Sequence, residues 1–448
     1  MNEILAHRLF RDDIADGILE LVEQNPDIAT RSKYLLRREQ LDSTQRHSKA
    51  TDMVGKDLLI ELFQAAEMRR WNDKLCPVPL TELDKQAHKM TIAYVLGKFA
   101  EHSSDFSWIE IIEGGLFEYF ERLTLTDLKP QIFERIKANE ETYNELKAEV
   151  CARFRPLVSD LNGLDKRFEA YLFRPRDTIS RKVLDAAHFY ATKWEFDIIE
   201  RENTGDYELD EIRRGLQRRQ EALADVEGLR YLALFPTYRS FVDLCGRLRF
   251  QVRWGQLYRV PRTSVLGHML IVAIISYLFS LEIGACTKRC ANNYFTGLFH
   301  DLPEVLTKDI ISPVKRAATG LDRFVKDFEQ EEMERRIYRP ELIPKAWQPE
   351  MRMFTEDEFV SKVTIDGQVR HTTSDEITAS YNRDPYNPVD GELVKAADDL
   401  AAFMEAYLAL QNGISNAELQ NAVREKRRFY SEKTIAGINF NDVYKELR

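Results

Sequence analysis

Apolar residues recur at every third or fourth position along most of the chain. Segments such as KDLLIELFQAAEMRRW and DDLAAFMEAYLAL show this spacing, which is typical of amphipathic helices. The run from Met269 to Leu281 is apolar almost throughout its 13 residues. It is shorter than the roughly 18 to 20 residues that cross a bilayer, so we expect a helix buried on all sides in a core. The pattern predicts an all-α fold.

One segment departs from the helical pattern. In FVSKVTIDGQVRHTT, Asp366-Gly367 lies between runs rich in β-branched residues, which matches a two-residue hairpin turn. The surrounding stretch, about 343–388, is polar and contains prolines, so it resembles an inserted loop region more than a core helix. We therefore predict a β-hairpin within an insertion.

Composition narrows the class of protein. The 448 residues exceed the usual length of one domain about threefold. The 64 Lys and Arg against 74 Asp and Glu give a net charge of -10, which argues against a nucleic-acid partner or a membrane partner. Five scattered cysteines predict reduced thiols, and the acidic N-terminus is unlike a signal peptide. We expect a cytoplasmic protein.

Short matches at nearly constant spacing indicate an internal duplication. RRW ending at Trp71 matches VRW ending at Trp254, 183 positions later. The segment around His88 matches the segment around His268 at an offset of 180, and the segment starting at Gly115 has its match at an offset of 182. Chance similarity between helical segments is the alternative explanation. The common order of the matches favours duplication.

The last match sets the domain boundaries. Val183 to Glu195 matches Leu393 to Glu405 at an offset of 210, and the extra 28 positions fall in the hairpin region. The hairpin region is therefore the insertion of the second copy. We predict an N-terminal helical extension at 1–47, a degenerate helical domain at 48–228, and a catalytic domain at 229–448 with its insertion at about 343–388.

Histidines and carboxylates in the second copy suggest a metal site. His268 lies in the apolar helix, His300-Asp301 follows, and Asp398 lies in AADDLAAF. Imidazole with carboxylate oxygens suits a divalent cation such as Mn, Co, Mg or Fe. A carboxylate beside apolar helices is costly unless it is paired or bound to metal. The sequence therefore predicts a divalent cation as cofactor.

Glu304 is the candidate general acid or base. It follows His300 by four positions and Asp301 by three, which places it on the same side of a helix. A carboxylate in this place can deprotonate a water acidified by a cation, as in phosphoester hydrolysis. We predict Glu304 and Asp301 as the catalytic residues.

From about Arg247 to Glu405, the chain resembles the HD-domain metal-dependent phosphohydrolases, and among them the bacterial 5'-deoxynucleotidase branch. The resemblance rests on Arg253-Trp254 before His268, on ADDLAAFMEA, and on HDLPEVLTKDIISPVK, which starts at His300. The last run is much more specific than an isolated His-Asp pair. The resemblance implies two tandem HD-like helical domains, of which only the second is complete.

The resemblance also implies a role for each site residue. The implied metal ligands are His268, His300, Asp301 and Asp398, with Glu304 acting on the attacking water. Arg253 would hold the phosphate, since guanidinium makes bidentate phosphate contacts. Trp254 would pack beside the nucleoside, and Asp309 would lie near the sugar or help to position the site.

Two departures from the family pattern bear on specificity. Gly267 and Met269 flank His268 where the family has Glu and a small hydroxyl residue, so the hydrogen bonds around this ligand are expected to differ. The 97-residue interval from Asp301 to Asp398 is longer than the family's usual spacing. An added lid or an altered substrate pocket is expected from the extra residues.

The first copy lacks the same chemistry. At the aligned positions it carries His88, Glu118-Tyr119, Arg122 and His188. Although His88, Glu118 and His188 are competent cation ligands, Arg122 replaces the candidate base. A degenerate repeat retained for packing, for dimerisation or for ligand sensing is the favoured interpretation.

Three functions remain open at this point. The leading prediction is a phosphohydrolase that removes the 5'-phosphate from (deoxy)nucleoside monophosphates, with a nucleotide as its small-molecule partner. One alternative is hydrolysis of nucleoside triphosphates or of cyclic or signalling nucleotides, since the fold alone does not fix the substrate. The other is a regulatory protein that binds nucleotides without turnover. A homodimer is compatible with each function.

Overall fold

A computed structural model describes residues 54–126, 130–159, 161–308 and 320–447. The predicted extension at 1–47 and the candidate residue Asp309 lie outside the described residues. The chain from Met53 onward groups as one unit, and its buried apolar side chains form a core to which both copies contribute. The boundary at residue 228 stays a prediction.

Helices dominate the described residues, which confirms the predicted all-α class. The helices are α1 (Lys56–Phe63), α2 (Glu82–Ala100), α3 (Trp108–Thr124), α4 (Pro130–Lys137), α5 (Glu140–Phe154), α6 (Leu164–Phe173), α7 (Ile179–Glu202), α8 (Leu209–Ala222), α9 (Glu227–Leu234), α10 (Pro236–Arg247), α11 (Val265–Glu282), α12 (Thr287–Phe299), α13 (Glu304–Thr307), α14 (Leu321–Met333), α15 (Gln348–Thr355), α16 (Ser374–Glu376), α17 (Gly391–Gln411), α18 (Ala417–Tyr430) and α19 (Phe440–Glu446). The strands form three antiparallel pairs, β1 (Arg69–Arg70) with β2 (Leu80–Thr81), β3 (Lys362–Ile365) with β4 (Gln368–His371), and β5 (Thr434–Ile435) with β6 (Ile438–Asn439).

Helix α11 is the centre of the core. Every residue from Val265 to Leu281 is buried, and the Ser264 hydroxyl caps the helix by accepting from the Gly267 amide. In the described part of the chain, this helix alone is long and apolar enough to cross a membrane, but 94% of it is buried inside the protein. The predicted all-round burial of the Met269–Leu281 run is confirmed, because helices α2, α12 and α17 pack around it.

Backbone details repeat between the two copies. Arg69 pairs with Thr81 in β1–β2, and Val252 pairs with Ser264 in an isolated bridge 183 positions later. The tryptophans that follow, Trp71 and Trp254, both have a left-handed backbone, with φ of 55° and 58°. A non-glycine residue rarely adopts this conformation. The shared geometry supports a duplication with an offset of 183 in this region.

The predicted hairpin forms within the insertion. Ile365 pairs with Gln368, and the intervening Asp366 and Gly367 have φ of 52° and 74°. Positive φ at both central residues is the conformation of a type I′ turn, which matches the twist of the flanking strands. Strand β4 is exposed along its length, so the hairpin projects from the core.

Candidate metal centre

Three predicted ligands converge from three helices. His268 lies in the first turns of α11, His300 directly follows α12, and Asp398 lies in α17. Their ligand atoms all lie within 4.8 Å of one another. His268 Nε2 is 3.0 Å from Asp398 Oδ1, and His300 Nε2 is 4.0 Å from the same oxygen. Residues far apart in the chain therefore form one cluster.

Asp301 joins this cluster from the turn after α12. Its Oδ2 lies 3.2 Å from His300 Nε2 and 3.4 Å from Arg253 Nη1. Helix α12 ends at Phe299, so His300 and Asp301 lie in the turn that follows it. Asp301 thus lies beside the group of His268, His300 and Asp398, next to His300.

His300 is prepared to bind a cation. Its Nδ1 is 2.8 Å from the carbonyl of Gly297, while the buried Nε2 faces the carboxylates of Asp301 at 3.2 Å and Asp398 at 4.0 Å. The carbonyl accepts a hydrogen bond from Nδ1–H, so the ring, when it is neutral, presents an unprotonated Nε2 to the cluster. A buried nitrogen without a donor, beside two carboxylates, fits a divalent cation.

The histidine and the carboxylates of the cluster shift one another's pKa values, so that opposite charges balance. Although burial disfavours the imidazolium ion, Asp301 and Asp398 raise the pKa of His300 to about 9. Burial also disfavours ionised carboxylates, but His300 and Arg253 hold the pKa of Asp301 below its usual range. Lys395 and the histidines do the same for Asp398. A bound cation would replace the proton on His300 as the balancing charge.

Glu405, which was not predicted from the sequence as a site residue, contacts several residues of the centre. Its buried carboxylate accepts hydrogen bonds from the Trp254 indole at 2.8 Å, Arg253 Nε at 3.3 Å and the Thr263 hydroxyl at 2.6 Å. Its Oε1 also lies 3.3 Å from His268 Nδ1. Glu405 therefore orients one ligand and both predicted substrate-binding residues. Its match to Glu195 in the first copy is the sequence feature from which Glu405 could have been predicted.

Close packing explains why position 267 is a glycine, where the resemblance to the family implies a glutamate. A Cβ at this position would lie 2.9 Å from Leu83 Cδ2 and 3.1 Å from Asp84 Oδ1, so a side chain here is blocked by the close approach of α2. Glu405 from α17 faces His268 Nδ1 instead. The hydrogen-bonding environment of this ligand is thus built by Glu405, and its difference from the family stays a prediction.

A cavity of about 900 Å³ opens beside the cluster. Predicted site residues on its wall are Arg253, Trp254, His300, Asp301, Glu304 and Asp398. Glu304 is buried at the start of α13, and its carbonyl accepts a hydrogen bond from Gln251. The candidate base and three of the four candidate ligands thus face one space, while His268 lies behind them. Its volume falls in the range of small-molecule sites.

The long interval between Asp301 and Asp398 builds the opposite wall. Helix α14 contributes Lys326 to the cavity, and the segment after α15 contributes Phe359. Hairpin residues are not among the lining side chains that the structure describes. Residues of the long interval therefore line the pocket, and they come from segments outside the hairpin.

Two lysines on the wall were also missed. Lys395 Nζ lies 2.7 Å from Asp398 Oδ2 and over the Phe359 ring, 4.6 Å from its centroid. Lys426, from α18, forms an ion pair with Asp399. Lys395 precedes Asp398 by three positions, which places both on one helix face. This three-residue spacing is the sequence feature from which Lys395 could have been predicted as a site residue.

Comparison with known proteins identifies this part of the chain. The family model of the HD domain matches residues 245–427. These residues form an HD domain. The match contains every candidate site residue of the second copy, and it confirms the resemblance to the HD phosphohydrolase superfamily.

Two curated relatives overlap the chain in part. A 5'-deoxynucleotidase of Pectobacterium atrosepticum is 26% identical over 187 residues, which cover 40% of this chain and 78% of the relative. Ribonuclease Y of a Sulfurovum species is 30% identical over 105 residues, which cover 23% of this chain and only 19% of the relative. No solved structure matches the chain. The HD domain and these relatives support a metal-dependent phosphohydrolase.

The structure corrects the alignment of the first copy with the HD domain. Lys85, rather than His88, occupies the place of His268: it lies 183 positions earlier, and its Nζ is 2.8 Å from His188 Nδ1 as His268 is 3.0 Å from Asp398. A slip of three residues preserves much of the apolar pattern of a helix, which explains the error.

His88 has a separate structural role. Its Nε2 lies 3.0 Å from the carbonyl of Val242, and its ring packs edge-on against Trp194. The alternative ligand set of His88, Glu118 and His188 is therefore not assembled. In the described ranges, the group of three potential metal ligands that does converge belongs to the second copy.

Proposed function

We propose that the HD domain is a metal-dependent phosphomonoesterase that removes the 5'-phosphate from nucleoside monophosphates. The supporting observation is the single cavity that Glu304, Arg253 and Trp254 share with three of the four candidate ligands, His300, Asp301 and Asp398. These groups match what the reaction needs, namely a proton acceptor, a phosphate-binding cation and an aromatic face. The name of the Pectobacterium relative agrees with this substrate class.

The candidate ligands are suited to a hard divalent cation. Held by His268, His300, Asp301 and Asp398, such a cation would acidify a water molecule and offset the phosphate charge. Glu304 accepts the proton of the attacking water, because it is the buried carboxylate that follows the ligand pair on the same wall. Glu405 keeps the His268 ring in the orientation that ligation requires.

Arg253 is the proposed phosphate-binding residue. Its guanidinium group is held between Glu405 at 3.3 Å and Asp301 at 3.4 Å, while the side chain also lines the cavity. A guanidinium group has five N–H donors, so two fixed contacts still permit phosphate binding. The contact with Asp301 places this charge next to the scissile phosphate.

Trp254 and Phe359 provide apolar contact for the nucleoside. The Trp254 indole N–H is fixed by Glu405 at 2.8 Å, and both aromatic side chains line the cavity. A ring held at one edge presents its face for stacking without losing further conformational freedom. Base recognition is therefore assigned to these two residues.

The charge of the cavity favours a monophosphate. Nine carboxylates line it, against four cations. The carboxylates are Asp301, Glu304, Glu329, Glu356, Glu358, Asp398, Asp399, Glu418 and Glu425, and the cations are Arg253, Lys326, Lys395 and Lys426. Each additional phosphate adds negative charge to a wall that remains acidic even with a divalent cation. Triphosphates are therefore poorer substrates.

A substrate panel tests this function. Phosphate release is measured from mono-, di-, tri- and cyclic nucleotides, each with Mn, Co, Mg or Fe. We expect the fastest release from monophosphates with one of these cations. Faster release from triphosphates or cyclic nucleotides would reassign the substrate, and ligand-dependent thermal stabilisation without any release would identify a regulatory binding protein.

A further inference from the structure

The first copy contains a cluster of cations at the place that corresponds to the metal centre. We call the cluster of Arg70, Lys85, Lys89, Arg122 and His188 the cationic cleft. Lys85 corresponds to His268, Arg70 to Arg253, Arg122 to Glu304 and His188 to Asp398. Ligands and base have thus been exchanged for positively charged or neutral nitrogen groups.

Two lysines form the floor of the cationic cleft. Lys85 and Lys89 are completely buried. Lys89 Nζ pairs with Glu118 at 2.9 Å, whereas Lys85 Nζ contacts the His188 ring at 2.8 Å. An imidazole does not supply the negative charge that a buried ammonium group requires. Burial, with the nearby arginines and Lys89, accordingly lowers the pKa of Lys85 well below its usual range.

Positive charge exceeds negative charge in the ion-pair network around this floor. Arg70 bridges Glu82 at 2.7 Å and Glu195 at 2.8 Å, and Arg122 shares Glu82 at 3.5 Å. Arg249 also pairs with Glu195. Lys89 pairs with Glu118, so four cations contact three glutamates and one positive charge is in excess without counting Lys85.

The cationic cleft is reachable from solvent. His188 is exposed, and the side chains of Arg70 and Arg122 keep 17% and 21% of their surface accessible. A small anion can therefore reach the two arginines from solvent, whereas the His188 ring lies against Lys85.

The cleft also keeps one feature of the proposed substrate site. The Trp71 indole donates to Glu195 at 3.0 Å, as the Trp254 indole donates to Glu405 at 2.8 Å. Trp71 is only half-buried. An aromatic surface thus remains beside the arginine, although the ligand set and the acid/base carboxylate are absent.

We propose that the cationic cleft binds a small phosphorylated anion, of the nucleoside monophosphate class, without hydrolysing it. The guanidinium groups of Arg70 and Arg122, with the ammonium group of Lys89, supply the positive charge that a divalent cation would supply in the HD domain. Arg122 in place of a glutamate strengthens anion binding and removes the proton acceptor that hydrolysis needs. The first copy is then a binding domain, whatever the substrate of the second copy.

Calorimetry on the full chain carrying Arg253→Ala tests the proposal, because this background removes the phosphate contact of the HD cavity. Inorganic phosphate and AMP are the two probes, and their comparison separates a bare phosphate site from a nucleotide site. Adding Arg122→Glu should weaken AMP binding by at least about tenfold, since a charge-assisted phosphate contact is replaced by repulsion. Arg122→Lys should retain most of the binding.

Arg230→Glu is the matched control. It makes the same charge change on α9, where the neighbouring Gly228 packs against Leu96 and Phe99 near the far end of α2. Unchanged AMP binding in Arg122→Glu, or an equal loss in Arg230→Glu, would overturn the proposal. Thermal unfolding of each variant shows that it is folded. Stronger binding of phosphate than of AMP would reject the nucleotide class.

Discussion

Glu405 Oε1 lies 3.3 Å from His268 Nδ1, and the same carboxylate accepts a hydrogen bond from the Trp254 indole. In the first copy, Glu195 likewise accepts a hydrogen bond from the Trp71 indole at 3.0 Å, although no histidine stands in the position of His268. The glutamate therefore serves the architecture of both copies. In the HD domain, this structural carboxylate additionally orients a candidate metal ligand.

Replacing a candidate ligand should remove the metal and the activity together. His300→Ala deletes the Nε2 that has no protein hydrogen-bond donor, and Asp301→Ala deletes the carboxylate 3.2 Å away. Either change leaves an incomplete ligand set, so we expect loss of the single cation bound per chain and of phosphate release. Metal analysis and phosphate assays check both losses.

His371→Ala is the control for the ligand variants, because His371 is exposed on strand β4 of the hairpin. It should keep metal and activity. Full phosphate release by Asp301→Ala after its metal has been lost would refute the mechanism.

Glu304→Gln should separate metal binding from turnover. The amide keeps the size of the side chain in the cavity wall but no longer accepts a proton, so turnover should fall by about 100-fold or more. Metal content should stay at the parent value. Glu329→Gln, which changes another carboxylate that lines the cavity, should change turnover much less. Parent-like rates in Glu304→Gln would move the water-activating role to another group.

Trp254→Ala should affect substrates according to their base. Its ring is proposed to stack on the nucleoside, so the loss in kcat/KM should be larger for nucleoside monophosphates than for a phosphate ester without a base. Arg253→Ala should weaken the use of both substrates, because both carry the phosphate. Steady-state kinetics on the two substrate types decide between stacking and packing, and equal losses from Trp254→Ala would favour packing.

The sequence predicted the helical class and the ligand set because each depends on local patterns. Helical periodicity is repeated along the chain, and His300-Asp301 belongs to a specific run of residues. Glu405 was missed because its contacts with Trp254 and His268 join segments more than a hundred residues apart. Lys85 was missed because apolar spacing tolerates a slip of one helical turn, which only the cross-helix contact with His188 resolves.

The metal-free protein should lose stability as the pH rises through about 9. Asp301 and Asp398 raise the pKa of His300 to about 9 in the folded state, against about 6.5 in an unfolded chain. The imidazolium is therefore favoured by folding, so its contribution is complete below about pH 6.5 and disappears as His300 deprotonates near pH 9. The shift corresponds to about 3 kcal/mol of unfolding free energy.

Denaturant unfolding in the presence of a chelator, from about pH 6 to about pH 10, measures this contribution against His300→Gln, which cannot titrate in this range. The parent should lose about 3 kcal/mol more than the variant across that interval. Metal affinity should move in the opposite direction and rise about tenfold per pH unit up to pH 9, because a cation must displace the His300 proton. Parallel stability profiles for parent and variant would show that His300 is not the charge-balancing group.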